Sequence, residues 1–237
     1  MENANWPYLG LRDPVSAATH LLALLMVLGA AAVLWRRARG SWRLLLPTAC
    51  FCAGMVLLYS ASAAYHAGRF APHELRRFQL LDHSAIYVLI AGSFTPPIAL
   101  LLPAGRRRSF FLAGIWGLGL AGIAAQWLLP ARPYGLELGT YVGMGWLAVL
   151  LLRDFVRCVG ARGLGWAAAG GVLYTLGALA DLCGWPVLYP RVFGPHETFH
   201  VLAMGGTACH VVFIGWYVLP YGSSGTDASH CKPGRIQ

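Results

Sequence analysis

The sequence predicts an all-α, polytopic membrane protein, a seven-transmembrane-helix bundle, on three observations. Hydrophobic residues make up 57% of the 237 and charged residues only 11%, with a mean hydropathy of +0.58, where a soluble domain carries roughly 25% charged residues. Apolar windows of about 20 residues, the length that crosses a ~30 Å hydrocarbon core, recur through the chain. Ten-residue segments of alternating polarity, the mark of a membrane barrel, do not.

The spans follow in order. Val15–Trp35 is the first and ends at Arg36-Arg37-Ala38-Arg39. Met1 to Pro14 lacks the basic region of a cleavable signal, and this span exceeds a signal's apolar core, so it is expected to stay attached. Trp42–Ala64 is the second, with His66 just past its end. Gln79–Leu102 is the third, and Pro96 and Pro97 are expected to bend or end it, because proline removes a donor and clashes with the preceding turn. Phe110–Leu128 is the fourth, after Arg106-Arg107-Arg108. Gly139–Leu152 is a short fifth that meets Arg153 and Asp154, which places its end at the interface. Gly165–Cys183 and Glu197–Leu219 are the sixth and seventh. The loops are too small to be domains, so residues 1–221 form one bundle. Gly222–Gln237, rich in Gly and Ser, reads as a flexible tail.

The net charge of +9 does not point to nucleic acid. The arginines are spread over loops flanking apolar spans rather than interleaved with aromatics on a soluble face, and topology and anionic head groups account for them. Membrane lipids are the expected partners. The six cysteines include no CxxC pair; Cys50, Cys52, Cys183 and Cys209 fall within apolar windows and read as small buried residues, while Cys158 is near a loop and Cys231 in the tail, so a disulfide framework has no support. Patches such as Ala167–Gly171 and Gly205–Ala208 are expected to bring helix backbones close together.

Ionisable residues within the spans carry the functional signal, because each is costly there. His196 and His200 stand at i and i+4, which puts both on one helical face about 6 Å apart, a spacing suited to two ligands of one metal ion. His66 closes the second span with Ser62 one turn back, and Asp82 lies near the start of the third. Crossings alternate, so the end of the second helix and the beginnings of the third and seventh share one side of the membrane. His66, Asp82, His196 and His200 therefore lie at similar depth. Three imidazoles with an open fourth position are the arrangement of a catalytic zinc site, and an aspartate can orient a ligand or a water. Separate interfacial histidines and an aspartate helix cap are the competing readings, and spacing alone leaves both open. His210, about 21 Å beyond His196 along the helix, is too far to ligate the same ion. Hydrogen bonds deep within the bundle are the expected roles of His210, His20 and Asp181.

These residues also carry a resemblance. Ser62-Ala63-Ala64-Tyr65-His66, then Leu81-Asp82-His83-Ser84-Ala85-Ile86-Tyr87 running on to Pro96, then His196-Glu197-Thr198-Phe199-His200 resemble the signature blocks of the hemolysin III family. That family is the bacterial branch of the progestin and adipoQ receptors. Gly143-Met144-Gly145-Trp146 and Gly170-Gly171-Val172-Leu173-Tyr174 extend the likeness over nearly the whole chain. The resemblance implies seven helices, a zinc ion on His66, His196 and His200, Asp82 ordering the water at the ion, and Ser62 beside the site. It also implies a bacterial inner-membrane location. Relatives of this architecture include alkaline ceramidases, which cleave a lipid amide, and adiponectin receptors linked to a similar activity, so zinc-dependent hydrolysis of a lipid amide or ester is the implied reaction. Imidazole also suits iron, copper and nickel, so zinc rests on ligand preference and resemblance. The alternatives are a receptor, a membrane-homeostasis protein or a haemolytic pore with a structural zinc.

Orientation is read two ways. About 12 Lys and Arg fall in the first, third and fifth loops plus the tail, against about 6 elsewhere, which favours an outside N-terminus. The adiponectin-receptor branch implies the reverse.

Overall fold

The computed structural model describes residues 10–129 and 132–224; the tail expected to be flexible lies largely outside them. No strand occurs among the described residues. The helices are α1 (Pro14–Ala38), α2 (Trp42–Ala67), α3 (Pro72–Leu101), α4 (Arg106–Leu128), α5 (Tyr134–Trp146), α6 (Leu152–Cys183) and α7 (Pro195–Val212). A 3-10 turn, Leu147–Leu151, joins α5 to α6, and α7 runs on through a π-helical stretch, Phe213–Val218, to Ser223. Six stretches are long and apolar enough to cross a membrane. Leu25, Leu120, Leu150 and Leu176 are exposed on their outer faces, as side chains meeting acyl chains are.

The fifth and sixth expected spans form one of these stretches, Tyr134–Cys183, 50 residues long. A straight helix of that length would run about 75 Å, well over twice a ~30 Å bilayer core. It is not straight. Gly160 has φ 68° and ψ 177°, a conformation that glycine adopts without steric cost. The chain folds back there, since the Trp146 indole N–H donates to the Thr175 hydroxyl at 3.0 Å and the Tyr134 hydroxyl donates to the Asp181 carboxylate. Both bonds join residues roughly equidistant from the break.

Two boundaries differ from expectation. α3 begins at Pro72 rather than Gln79, because proline suits the first turn of a helix and Glu74 accepts from the Ala71 backbone N–H. It also runs through Pro96 and Pro97 to Leu101. Both prolines are buried, and the Thr95 and Ser93 hydroxyls donate to carbonyls one turn back. Packing of this kind lets a membrane helix absorb a proline.

Helices α2 and α3 form the centre of the bundle. At Gly92 a Cβ would stand 2.8 Å from the Cys50 carbonyl oxygen, and at Gly54 it would stand 2.9 Å from Leu89 Cα, so the two backbones touch where both residues are glycine. The small-residue patches expected to pack do so between α6 and α7, where Gly170 faces the His210 ring. Phe51, Met55, Tyr59, Ile98, Leu101 and Ile214 fill the core. This packing sets the end of α2 and the beginnings of α3 and α7 beside the start of α1 and the end of α6, around one polar cavity.

Candidate metal centre

His66 ends α2, and His196 and His200 occupy the first two turns of α7. Pro195 starts α7, and Glu197 accepts from the Gly194 backbone N–H at 2.9 Å. One possible ligand atom from each of His66, His196 and His200 lies within 4.8 Å of the other two. The Nε2 atoms of His66 and His196 face each other at 3.4 Å.

Each imidazole is held by its other nitrogen. His66 Nδ1 lies 3.1 Å from the Asp13 carboxylate, and His196 Nδ1 lies 3.4 Å from that of Asp181. A carboxylate only accepts, so both rings donate from Nδ1–H. His200 Nδ1 lies 3.3 Å from the Thr19 hydroxyl. That hydroxyl spends its own proton on the Ser16 carbonyl at 2.9 Å, so it too accepts from the ring. A neutral ring held in this way turns a bare Nε2 away from its partner, and the His66 and His196 Nε2 atoms at 3.4 Å are placed to share a proton or a metal ion between them. The donor set fits a metal ion, with outer oxygen partners of the kind that orient metal-bound histidines.

The positions expected from the sequence meet here. Asp82 is buried ten residues into α3, so it is not a helix cap, and it lines the same cavity as His66 and His196. The buried Ser62 hydroxyl stands beside its carboxylate. His210 lies elsewhere in the bundle, near the Ala167 carbonyl at 3.4 Å, as expected.

Two expectations change. Asp181 does not act away from the site but faces His196. Among the described residues His20 makes no deep interhelical hydrogen bond, since both its buried ring nitrogens lack a partner there, and its ring stacks on His200 with centroids 3.7 Å apart. Asp13, Ser16 and Thr19 join the site without a clear sequence motif. Their signal was faint: a short polar run before the first apolar window, whose role depends on α1 packing beside the end of α2.

A second polar cluster lines the same cavity. Glu137 on α5 pairs with His83 and accepts from Gln126 and Tyr141, each at 2.8 Å. Arg132 Nη2 stands 3.6 Å from it. The cavity measures about 1330 Å³. Deeper between α3, α5, α6 and α7 lies a separate, almost wholly apolar cavity of about 210 Å³.

Residues 10–211 match the family model described as Haemolysin-III related, a stretch that contains every residue of the site. The chain belongs to the haemolysin-III family. It is 32% identical over 169 residues to Hemolysin-3 of Bacillus cereus, covering 71% of this chain and 74% of that one. It is 29% identical over 170 residues to a Hemolysin-3 homolog of Bacillus subtilis (strain 168), covering 70% and 75%. As a haemolysin-III protein with six long apolar helical stretches, it is an integral membrane protein of the bacterial plasma membrane.

Proposed function

We propose that this haemolysin-III protein crosses the membrane seven times, holds zinc on His66, His196 and His200, and hydrolyses an amide or ester bond in a lipid. The seven crossings rest on the fold-back at Gly160, which gives Tyr134–Cys183 two limbs of membrane-spanning length. The facing pair of Nε2 atoms at 3.4 Å is the observation that carries the metal. Imidazole nitrogens at that separation would suit two ligands of one zinc ion.

Three protein ligands beside a large cavity favour a catalytic over a structural ion, because structural zinc sites are closed by four protein ligands. Zinc held there would supply a Lewis acid that activates water and a carbonyl near neutral pH. Asp82 would accept the proton of the attacking water and return it to the leaving nitrogen or oxygen. Ser62 fixes the Asp82 carboxylate through its hydroxyl. The apolar cavity takes part of the lipid chain. A haemolytic pore would need a polar path through the bundle, whereas this site lies at one end of it and the deeper cavity is apolar.

The test is metal content and turnover together. Purified wild type should carry about one zinc per chain, His66→Ala and His200→Ala none, and Asp82→Asn a full complement with lipid amide or ester cleavage abolished. Metal-free wild type would end the zinc reading, and undiminished cleavage by Asp82→Asn would end the catalytic one.

A further inference from the structure

Three guanidinium groups line the cavity that the hydrolytic reading leaves unused. Arg76 comes from the first turns of α3, Arg132 from the segment before α5, and Arg191 from the connection between α6 and α7. Membrane topology does not account for them. The side that carries the histidines has only about 6 of the 18 Lys and Arg residues, and half of those 6 converge on this one cavity.

The carboxylates around the cavity are already engaged. Asp13 holds His66 and Arg12, Asp181 holds His196 and Tyr134, and Glu137 holds His83, Gln126 and Tyr141. Glu197 accepts from the Ser16 hydroxyl and the Gly194 amide, and Asp82 stands beside Ser62. The arginines are not matched in this way. Among the described residues Arg76 bonds to the Gln79 side chain but pairs with no carboxylate, and Arg191 has no ion pair. Arg132 leans on Gln126 and, at 3.6 Å, on Glu137, yet its Nε is buried with no partner. A buried donor of a charged group left without an acceptor is costly.

Arg191 adds backbone evidence. Its φ of 66° lies in the left-handed region, where a residue with a long side chain is strained and glycine is not. Strain of this kind persists where the surroundings hold it and collects at ligand sites.

We infer that the mouth of this cavity binds the phosphate-bearing, anionic head group of an acidic phospholipid, with Arg76, Arg132 and Arg191 as its counter-charges. The guanidinium fork matches phosphate oxygens in pairs, and here three forks with free donors meet at the polar end of a membrane protein. The apolar cavity supports a lipid over a soluble phosphate. Ile86 on α3, Leu138 on α5 and Phe199 on α7 line it, each next to or one turn beyond the polar residues Asp82, Glu137 and His200. In naming the substrate class the inference rests on the hydrolase reading; the binding itself needs no metal.

Native mass spectrometry of the full chain, released from micelles holding equal phosphatidylglycerol and phosphatidylcholine, tests it. Wild type and metal-free His200→Ala should both prefer phosphatidylglycerol by tenfold or more. Each lost guanidinium should reduce that preference by about tenfold, the size of one charge-assisted hydrogen bond. Arg191→Gly is the informative variant, because it relieves the strained backbone and should melt no lower than wild type while losing selectivity. Arg76→Gln combined with Arg132→Gln and Arg191→Gly should abolish the preference, and Arg107→Gln, whose side chain pairs with Asp154, should leave it intact. Equal occupancy by the two lipids in wild type would overturn the inference, as would selectivity that survives the triple variant. Displacement of phosphatidylglycerol by equimolar inorganic phosphate would overturn the lipid assignment. Selective binding by a wild type that holds no metal would sink the hydrolase reading and leave the head-group site standing.

Discussion

Asp13 and His66 are joined twice. The Asp13 backbone N–H donates to the His66 carbonyl at 3.0 Å, and the His66 imidazole donates back to the Asp13 carboxylate at 3.1 Å. The start of α1 is thereby clasped to the end of α2, and one ring of the histidine cluster is fixed in both tautomer and direction. Arg12 lies 2.7 Å from the same carboxylate.

Asp13→Ala should weaken metal binding by about 10–100-fold, the usual cost of removing the outer partner of a histidine ligand. Asp181→Asn should cost less. His66 is the more confined ring, with its side chain 5% exposed against 42% for His196, and its carboxylate partner is nearer. Titration against a chromophoric chelator measures both. An Asp181 variant as weak as the Asp13 variant would contradict this ranking.

Metal should also stabilise the bundle. A ligand that binds only the folded state at 100 times its Kd contributes about 2.7 kcal/mol, and this one would join α2 to α7. A chelator should therefore lower the melting temperature of the wild type by several degrees and leave that of His200→Ala unchanged. Equal shifts in the two proteins would mean that the chelator acts elsewhere.

The three histidines and Asp82 were legible in the sequence because they obey local rules: i, i+4 spacing in one helix, and positions at span ends that alternation brings to one side. Their supports were not. Nothing in the sequence around Asp13 or Thr19 distinguishes an outer partner of histidine from an ordinary helix start, since the relation exists only once α1 packs beside α2 and α7. His20 and Asp181 were visible as costly residues, but their direction depends on helix rotation, which apolar windows do not encode. The spans were found by hydropathy, while the extra turns of α3 before Gln79 are polar and fall outside any apolar window.

Gly92 tests the centre of the fold. A Cβ there would stand 2.8 Å from a backbone oxygen of α2, which cannot move aside as a side chain could. Gly92→Ala should destabilise by about 1–3 kcal/mol, the range for overpacking a tight interface, and Gly92→Leu should prevent assembly. Gly29→Ala is the control, since a Cβ there meets nothing within 4 Å. The readout is the melting temperature in one detergent.

The fold-back at Gly160 makes a topological prediction independent of any chemistry. If Tyr134–Cys183 crossed only once, Arg132 and Arg191 would lie on opposite faces of the membrane; because the chain reverses, they line one cavity. In a background with the native cysteines replaced, Arg69→Cys and Arg191→Cys should react with an impermeant maleimide from one side. Arg39→Cys and Arg162→Cys should react from the other. Labelling of Arg162→Cys and Arg191→Cys from the same side would remove the seventh crossing. The same experiment fixes orientation: the Lys and Arg distribution places the Arg69 and Arg191 side outside the cell, so those two cysteines should be labelled in intact cells. Protection there would place the metal centre and the arginine-lined mouth on the cytoplasmic face, the orientation that the adiponectin-receptor branch implies.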